Sequence, residues 1–166
     1  MVFKEMNKAV FLDRDGVINN EYDNNYIFRP EDIVLNPGIP ELLYYLKQRG
    51  YLLIVISNQG GISKGIYTQE DVEKTNARIE QLLANHHIKF DEIYYCTHYQ
   101  ETEKCICRKP GTLMIEKAIS RFNIDSQVSY FIGDRETDME AGNKSGLKTI
   151  KVTANQNMSV LLDMIS

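Results

Sequence analysis

The sequence predicts an α/β fold, with a central parallel sheet covered by helices on both faces. Three observations predict it. Short, near-continuous apolar runs recur along the chain, as expected of strands buried on both faces. These runs alternate with segments of helical spacing, which is the pattern of successive βαβ units. Several runs also stop abruptly at polar residues, where open α/β sheets bind their ligands.

Lys8 to Leu12 is the first predicted strand. Ile39 to Gln48 has helical spacing after Pro37-Gly38, and Gly50 stops that helix. Tyr51 to Ile56 is a second strand, almost wholly apolar. Thr68 reads as an N-cap with Asp71 three residues on, opening a helix to about Asn85. Glu92 to Cys96 is a third strand, and Gly111 to Phe122 is helical. Val128 to Ile132 is a fourth strand, running into Gly133-Asp134. A helix from Thr137 to Ser145 and a fifth strand from Leu147 to Val152 follow, with a short helix over the last residues.

A chain of 166 residues suits a single domain, 1–166, with a sizeable core. Hydrophobic residues at 43% and charged residues at 25% are ordinary for a globular protein. A net charge of −4 leaves no electrostatic footprint for nucleic acid or an anionic membrane. No run reaches membrane-spanning length, and the first residues lack the apolar core of a signal peptide. The expectation is a cytoplasmic monomer acting on a small molecule.

The chemistry begins at Asp13 and Asp15, which end the apolar run Val10-Phe11-Leu12. In an extended chain alternate residues share a side, so both carboxylates would face one crevice. Two like charges held that close call for a cation or a shared proton. One carboxylate could attack phosphorus while the other moves protons. A plain Asp-Gly turn is the competing reading. Asp134, past another strand, could supply a second oxygen to Mg²⁺, which prefers carboxylates, phosphate and water. Asp138 reads equally well as an acid in the first turn of a helix. Ser57-Asn58-Gln59-Gly60-Gly61 offers a hydroxyl and turn amides to phosphate oxygens. Arg108 and Lys109 offer a planar fork and a point charge. Each of the last two segments taken alone also fits ordinary loop or surface.

In this order, Asp13-Arg14-Asp15-Gly16-Val17, Ser57-Asn58, Lys109 and Gly133-Asp134 with Asp138 resemble the haloacid dehalogenase superfamily of phosphohydrolases. The match covers nearly the whole chain. It implies a Rossmann-like three-layer fold, Mg²⁺ dependence and an aspartyl-phosphate intermediate. Asp13 would be nucleophile and Mg²⁺ ligand. Asp15 would be the acid/base, reaching the metal through its backbone carbonyl. Ser57 and Lys109 would hold the phosphoryl group, Asp134 would complete the metal ligands, and Asp138 would support Asp134 or Lys109.

Cys96-Thr97-His98 and Cys105-Ile106-Cys107 use every cysteine of the chain and one of its three histidines. Four such ligands suffice for a closed, structural Zn²⁺ site that organises the loop leading into Arg108 and Lys109. Incidental thiols or a disulfide are the other readings. His86 and His87 fit a helix end at the surface.

Together with Cys-x-His…Cys-x-Cys-Arg-Lys-Pro, the first motif resembles one compact branch of the superfamily. That branch includes D-glycero-D-manno-heptose 1,7-bisphosphate phosphatases and the phosphatase domain of histidinol phosphatases. The resemblance implies no large cap domain, and the segments after the first two strands read as short. Specificity would fall to the segment Glu21 to Tyr26, the Gln59 to Lys64 turn and the zinc loop. Asn58, Gln59, Arg108 and Lys109 are the expected substrate contacts. Ser57-Asn58-Gln59-Gly60-Gly61-Ile62 leans toward the heptose enzymes, whereas the short zinc loop is nearer the histidinol-phosphatase length; the expected substrate is the heptose bisphosphate, with histidinol phosphate as runner-up and another small phosphosugar as a further alternative. A different class stays open: a zinc-stabilised module that binds phosphate without hydrolysing it. The retained Asp15 speaks against that.

Overall fold

A computed structural model describes residues 5–22 and 26–165. Five parallel strands form one sheet in the order β3-β2-β1-β4-β5. They are β1 (Lys8–Leu12), β2 (Tyr51–Asn58), β3 (Glu92–Cys96), β4 (Tyr130–Gly133) and β5 (Lys148–Lys151). The helices are α1 (Ile39–Gln48), α2 (Gln69–Ala84), α3 (Leu113–Phe122) and α4 (Glu136–Lys144). Among the described residues no helix is long and apolar enough to cross a membrane.

The strand order follows from alternation within the strands. Val10 and Leu12 of β1 and Leu53 and Val55 of β2 pack with Leu42, Leu43 and Leu46 of α1 and Ile79 and Leu83 of α2. The odd residues of β1, Ala9 and Phe11, face the other way with Ile54, Ile56 and Phe131, against Met114, Ile115 and Ala118 of α3 and Met139 of α4. The chain therefore winds outward from β1 to β3 on one face. It then crosses back over β1 through α3 to continue as β4 and β5 on the other. Right-handed crossovers require that change of face. The reversal leaves a crevice between the carboxyl ends of β1 and β4, where Asp13 and Asp134 sit.

Several boundaries differ from the sequence reading, each for a local reason. Strand β2 runs on to Asn58 because Ser57 and Asn58 pair with Tyr95 and Cys96 of β3. Helix α3 begins at Leu113, not Gly111. Gly111 lies in a turn so tight that a Cβ there would be 2.4 Å from the Ile106 carbonyl oxygen. Strand β4 begins at Tyr130, not Val128. Asp125 accepts a bond from the Gln127 amide and curls Ser126–Val128 into a 3₁₀ turn. The expected final helix is a 3₁₀ segment, Met158–Leu161. The segment after β1 is not short: it runs from Asp13 to Gly38. It adds no separate layer among the described residues, because Asn36 donates to the carbonyls of Gly16 and Val17 and folds it back on itself. Residues 23–25 of the Glu21 to Tyr26 segment and residues 1–4 of the N-terminus lie outside the described residues.

The cap of α2 matters to the site. The Thr68 hydroxyl accepts from the Asp71 amide at 3.2 Å, and Asp71 accepts from the Thr68 amide at 2.8 Å. This fixes the helix that carries Thr75 and Asn76 toward the segment after β1. Thr68→Ala is expected to lower stability by about 1 kcal/mol, read as a shifted midpoint in urea denaturation with an unchanged slope.

Candidate active site

The ends of β1 and β2 and the first turn of α4 meet around one ammonium group. The Lys109 Nζ lies 2.8 Å from Asp13 Oδ1, 2.7 Å from Asp138 Oδ1 and 2.7 Å from the Ile56 carbonyl oxygen. Lys109 is 3% exposed and Asp138 is wholly buried. Burial works to lower the lysine's pKa, but the two carboxylates outweigh it and hold the pKa above the ordinary value. The contact with Asp138 is an ion pair rather than a well-aligned hydrogen bond. The other Asp138 oxygen accepts from the Arg135 amide at 3.1 Å. Gly133 makes room for this side chain, since a Cβ there would lie 2.3 Å from the Asp138 Cβ. Asn58 fixes the lysine's backbone from below, accepting from its amide at 2.9 Å and donating to its carbonyl at 3.1 Å.

Asp13 and Asp15 occupy different surroundings, which corrects the picture of two carboxylates sharing one cation. Asp15 sits in a tight turn before Gly16, whose φ is +86°. Its carboxylate faces the buried Arg14 guanidinium, with contacts of 3.0 to 3.1 Å. It also accepts from Asn19 and from Gln59, each at 3.0 Å. Arg14 is held in turn by Asn76 on α2 and by the Ile27 carbonyl. Gln59 also donates to the Ser57 hydroxyl and accepts from the Tyr67 hydroxyl. Its polar atoms are therefore engaged inside the protein, although it lines the cavity as expected of a substrate contact.

Asp13, Asp134 and Asp138 each bring a carboxylate oxygen within 4.8 Å of the others. Burial raises the Asp13 pKa well above the ordinary carboxylate range; the Asp138 charge adds to the rise and Lys109 opposes it. Burial likewise raises Asp134, again with Asp138 adding. Asp134 Oδ1 is buried and has no hydrogen-bond partner. A Cβ on Gly16 would lie 2.8 Å from Asp134 Oδ2, so glycine is needed there twice over, for its backbone angle and for this approach. An orphaned buried carboxylate oxygen beside a second carboxylate is what a small, hard cation would satisfy.

The four soft ligands converge. Cys96 Sγ lies 3.1 Å from Cys107 Sγ, 3.7 Å from Cys105 Sγ and 3.5 Å from His98 Nδ1, and His98 Nδ1 lies 3.3 Å from Cys107 Sγ. A tetrahedron of Zn–S bonds near 2.3 Å has edges of about 3.8 Å, close to this arrangement. The cysteines are free thiols, and their separations exceed a bonded S–S distance. Burial raises the pKa of Cys96, and its thiol neighbours add to that rise. Cys105 also accepts from the Arg108 amide, and Arg108 donates to the His98 carbonyl at 3.1 Å. The cluster thus leads directly into Arg108 and Lys109.

All of this borders a polar cavity of about 500 Å³, a size typical of small-molecule sites. Asp13, Asp15, Asn58, Gln59, Arg108 and Lys109 line it, as the sequence reading expects. Ser57 is 2% exposed behind them. Sequence reasoning missed Arg14 and Asn19, which hold Asp15 directly, Asn76 and Tyr67, which act on it through Arg14 and Gln59, and the Glu21–Arg135 ion pair at the wall. Only Arg14 left a signal, a lone cation between two carboxylates.

Comparison with known proteins shows the family. The HAD-hydrolase-like family profile matches residues 106–163. The D-glycero-alpha-D-manno-heptose-1,7-bisphosphate 7-phosphatase of Campylobacter jejuni is 43% identical over 143 residues, covering 86% of this chain and 80% of its own. The D-glycero-beta-D-manno-heptose-1,7-bisphosphate 7-phosphatase of Helicobacter pylori matches at 43% with the same coverage. Among solved structures, the D,D-heptose 1,7-bisphosphate phosphatase of B. bronchiseptica, complexed with magnesium and phosphate, superposes with a TM-score of 0.83. It is 25% identical and covers 94% of this chain and 86% of its own.

Replacing Lys109 by Met would leave the buried carboxylates without their internal cation. Without added divalent metal, this substitution is expected to cost roughly 3–5 kcal/mol in chemical denaturation.

Proposed function

The chain belongs to the haloacid dehalogenase-like hydrolases, and from that premise we propose that it is a Mg²⁺-dependent phosphomonoesterase removing the 7-phosphate of a D-glycero-D-manno-heptose 1,7-bisphosphate. The observation that carries the reading is the surroundings of Asp13. Its Oδ1 receives the Lys109 ammonium at 2.8 Å and the Arg14 amide at 2.9 Å, leaving Oδ2 to attack. The reading includes a cytoplasmic monomer.

In this mechanism Asp13 Oδ2 forms a bond to phosphorus as the ester P–O bond breaks. Asp15 delivers a proton to the departing sugar oxygen. Asp15 then takes a proton from water, which attacks the aspartyl-phosphate; phosphate leaves and Asp13 is restored. Lys109 and the Ser57 hydroxyl steady the phosphoryl oxygens. Arg14, Asn19 and Gln59 hold the ionised Asp15 carboxylate, and one of these bonds gives way when Asp15 carries the proton that it delivers and later regains. Asp13, Asp134 and the Asp15 backbone carbonyl would hold Mg²⁺, and the unpartnered Asp134 Oδ1 supports that assignment. When bound, Mg²⁺ offsets charge on the phosphoryl oxygens. Asp138 supports Lys109 instead, since one of its oxygens faces that ammonium and the other faces a backbone amide.

Zn²⁺ in the Cys96, His98, Cys105 and Cys107 cluster would be structural, because four protein ligands leave no open position for water. Arg108 and Asn58 are the proposed substrate contacts beside Lys109. The relatives named for the alpha and beta anomers are equally similar, so the anomer is left to experiment.

The purified protein should release phosphate from heptose 1,7-bisphosphate in a Mg²⁺-dependent manner and much more slowly from histidinol phosphate. The opposite ranking would reassign the substrate. Asp13→Asn should abolish turnover, and Asp15→Asn should lower kcat by roughly 10²–10⁴-fold. Full activity in Asp13→Asn would overturn the nucleophile. Removing zinc, or Cys107→Ala, should lower Tm by more than roughly 5 °C and raise KM. Unchanged folding and KM after complete zinc removal would reject the structural role.

A further inference from the structure

The three segments around the cavity mouth are stitched together at Lys64. Its ammonium lies 3.8 Å from the centre of the Tyr99 ring, in the loop between Cys96-Thr97-His98 and Cys105-Ile106-Cys107. It also lies 5.5 Å from the Tyr26 ring, in the segment after β1. Both fall within cation–π range. Neither ring stands alone. Tyr26 packs edge-on against Tyr67 at 5.5 Å, and Tyr67 stacks on Phe28 at 5.2 Å. On the other side the Arg108 guanidinium lies 5.7 Å from the Tyr99 ring. The turn carrying Lys64 is already tied to the cysteine loop by Ser63, which meets Thr102 at 3.0 Å and Glu103 at 3.1 Å. Lys64 therefore joins Tyr26 directly to Tyr99 of the cysteine loop, beside the Tyr67 contacts that already tie its turn to the segment after β1.

Resting on the phosphatase reading, we propose that Lys64 is a positioning residue that clasps Tyr26 and Tyr99 and so sets the mouth through which the substrate enters. It does not touch the reacting atoms. Tyr67 connects this clasp to the interior, because its hydroxyl donates to Gln59 at 2.7 Å, and Gln59 donates to Asp15. The clasp is weak by construction. The lysine is exposed, and each ring contact there is worth a few-fold in an equilibrium. Such a device suits a mouth that must open to release product.

The test is kinetic and structural together, using the purified protein with its metals in place. Lys64→Met keeps the stem and removes the charge. It should raise KM for the bisphosphate on the order of five-fold and leave kcat unchanged, and Lys64→Arg should restore KM. Tyr99→Leu and Tyr26→Leu should each raise KM similarly. Combining either with Lys64→Met should add little, because the clasp is already broken. Amide exchange at Thr102 and Glu103, whose N–H groups donate to the Tyr99 carbonyl, should quicken in Lys64→Met without any substrate present. A KM rise confined to the lysine variant, with both tyrosine variants normal, would show that Lys64 acts on substrate directly and overturn the clasp. Unchanged exchange in Lys64→Met would overturn it as well. Wild-type protein that turns over no bisphosphate would reject the phosphatase reading, while the exchange measurement would still judge the clasp.

Discussion

A buried ammonium ion governs the architecture of this molecule. Lys109 cannot stay charged at 3% exposure without partners, because an unpaired buried charge is far too costly. Its partners come from three places: the end of β1, the end of β2 and the first turn of α4. Satisfying one lysine thus draws the ends of β1 and β2 and the start of α4 to a common point. Everything around it serves that placement. Asn58 fixes the lysine's backbone, Gly133 admits Asp138, and the cysteine cluster carries the chain up to Arg108 immediately before it.

The charge balance around that lysine explains why a second cation belongs there. Asp13 and Asp138 face one Lys109, and Asp134 brings a third carboxylate within 4.8 Å of theirs. With all three ionised, the cluster is short of positive charge. Burial is the largest cause of the raised pKa values of Asp13 and Asp134, and the nearby Asp138 charge adds to both. Protonation would relieve the shortage of positive charge but would disable a carboxylate nucleophile. A divalent cation relieves it while keeping the nucleophile ionised.

How much of this was legible follows from the range of each interaction. The strands were readable because burial on both faces imposes a continuous apolar run, and Asp13, Ser57 and Asp134 were readable as the polar residues that end such runs. The cysteine cluster was readable because two short, like-spaced ligand pairs stand out in a chain with few cysteines. Boundaries failed where a local bond overrode the pattern, as where the Asp125 side chain curls Val128 out of β4. The support of Asp15 was illegible for a different reason. Asn76 reaches Arg14 from a helix whose own sequence gives no hint of that role, and Tyr67 looks like an ordinary core aromatic until its hydroxyl is seen on Gln59. Such contacts are set by the packed fold.

Those unreadable contacts turn two similar carboxylates into different instruments. Asp13 and Asp15 look alike in the sequence, two aspartates one residue apart at the mouth of one strand. In the structure Asp13 is poor in hydrogen bonds and rich in charge, with Lys109 on one side and Asp134 and Asp138 close by. A carboxylate so placed keeps an oxygen free for bonding to phosphorus. Asp15 is rich in hydrogen bonds, held by a guanidinium and two amides that fix its direction but supply no reacting atom. A group that must give and take a proton along one line gains most from that constraint. These two environments suit the two roles of the proposed mechanism. The environment of Asp15 is built by α2 and by Gln59, which explains why helix capping at Thr68, far from phosphorus, belongs to the same design as the acid itself.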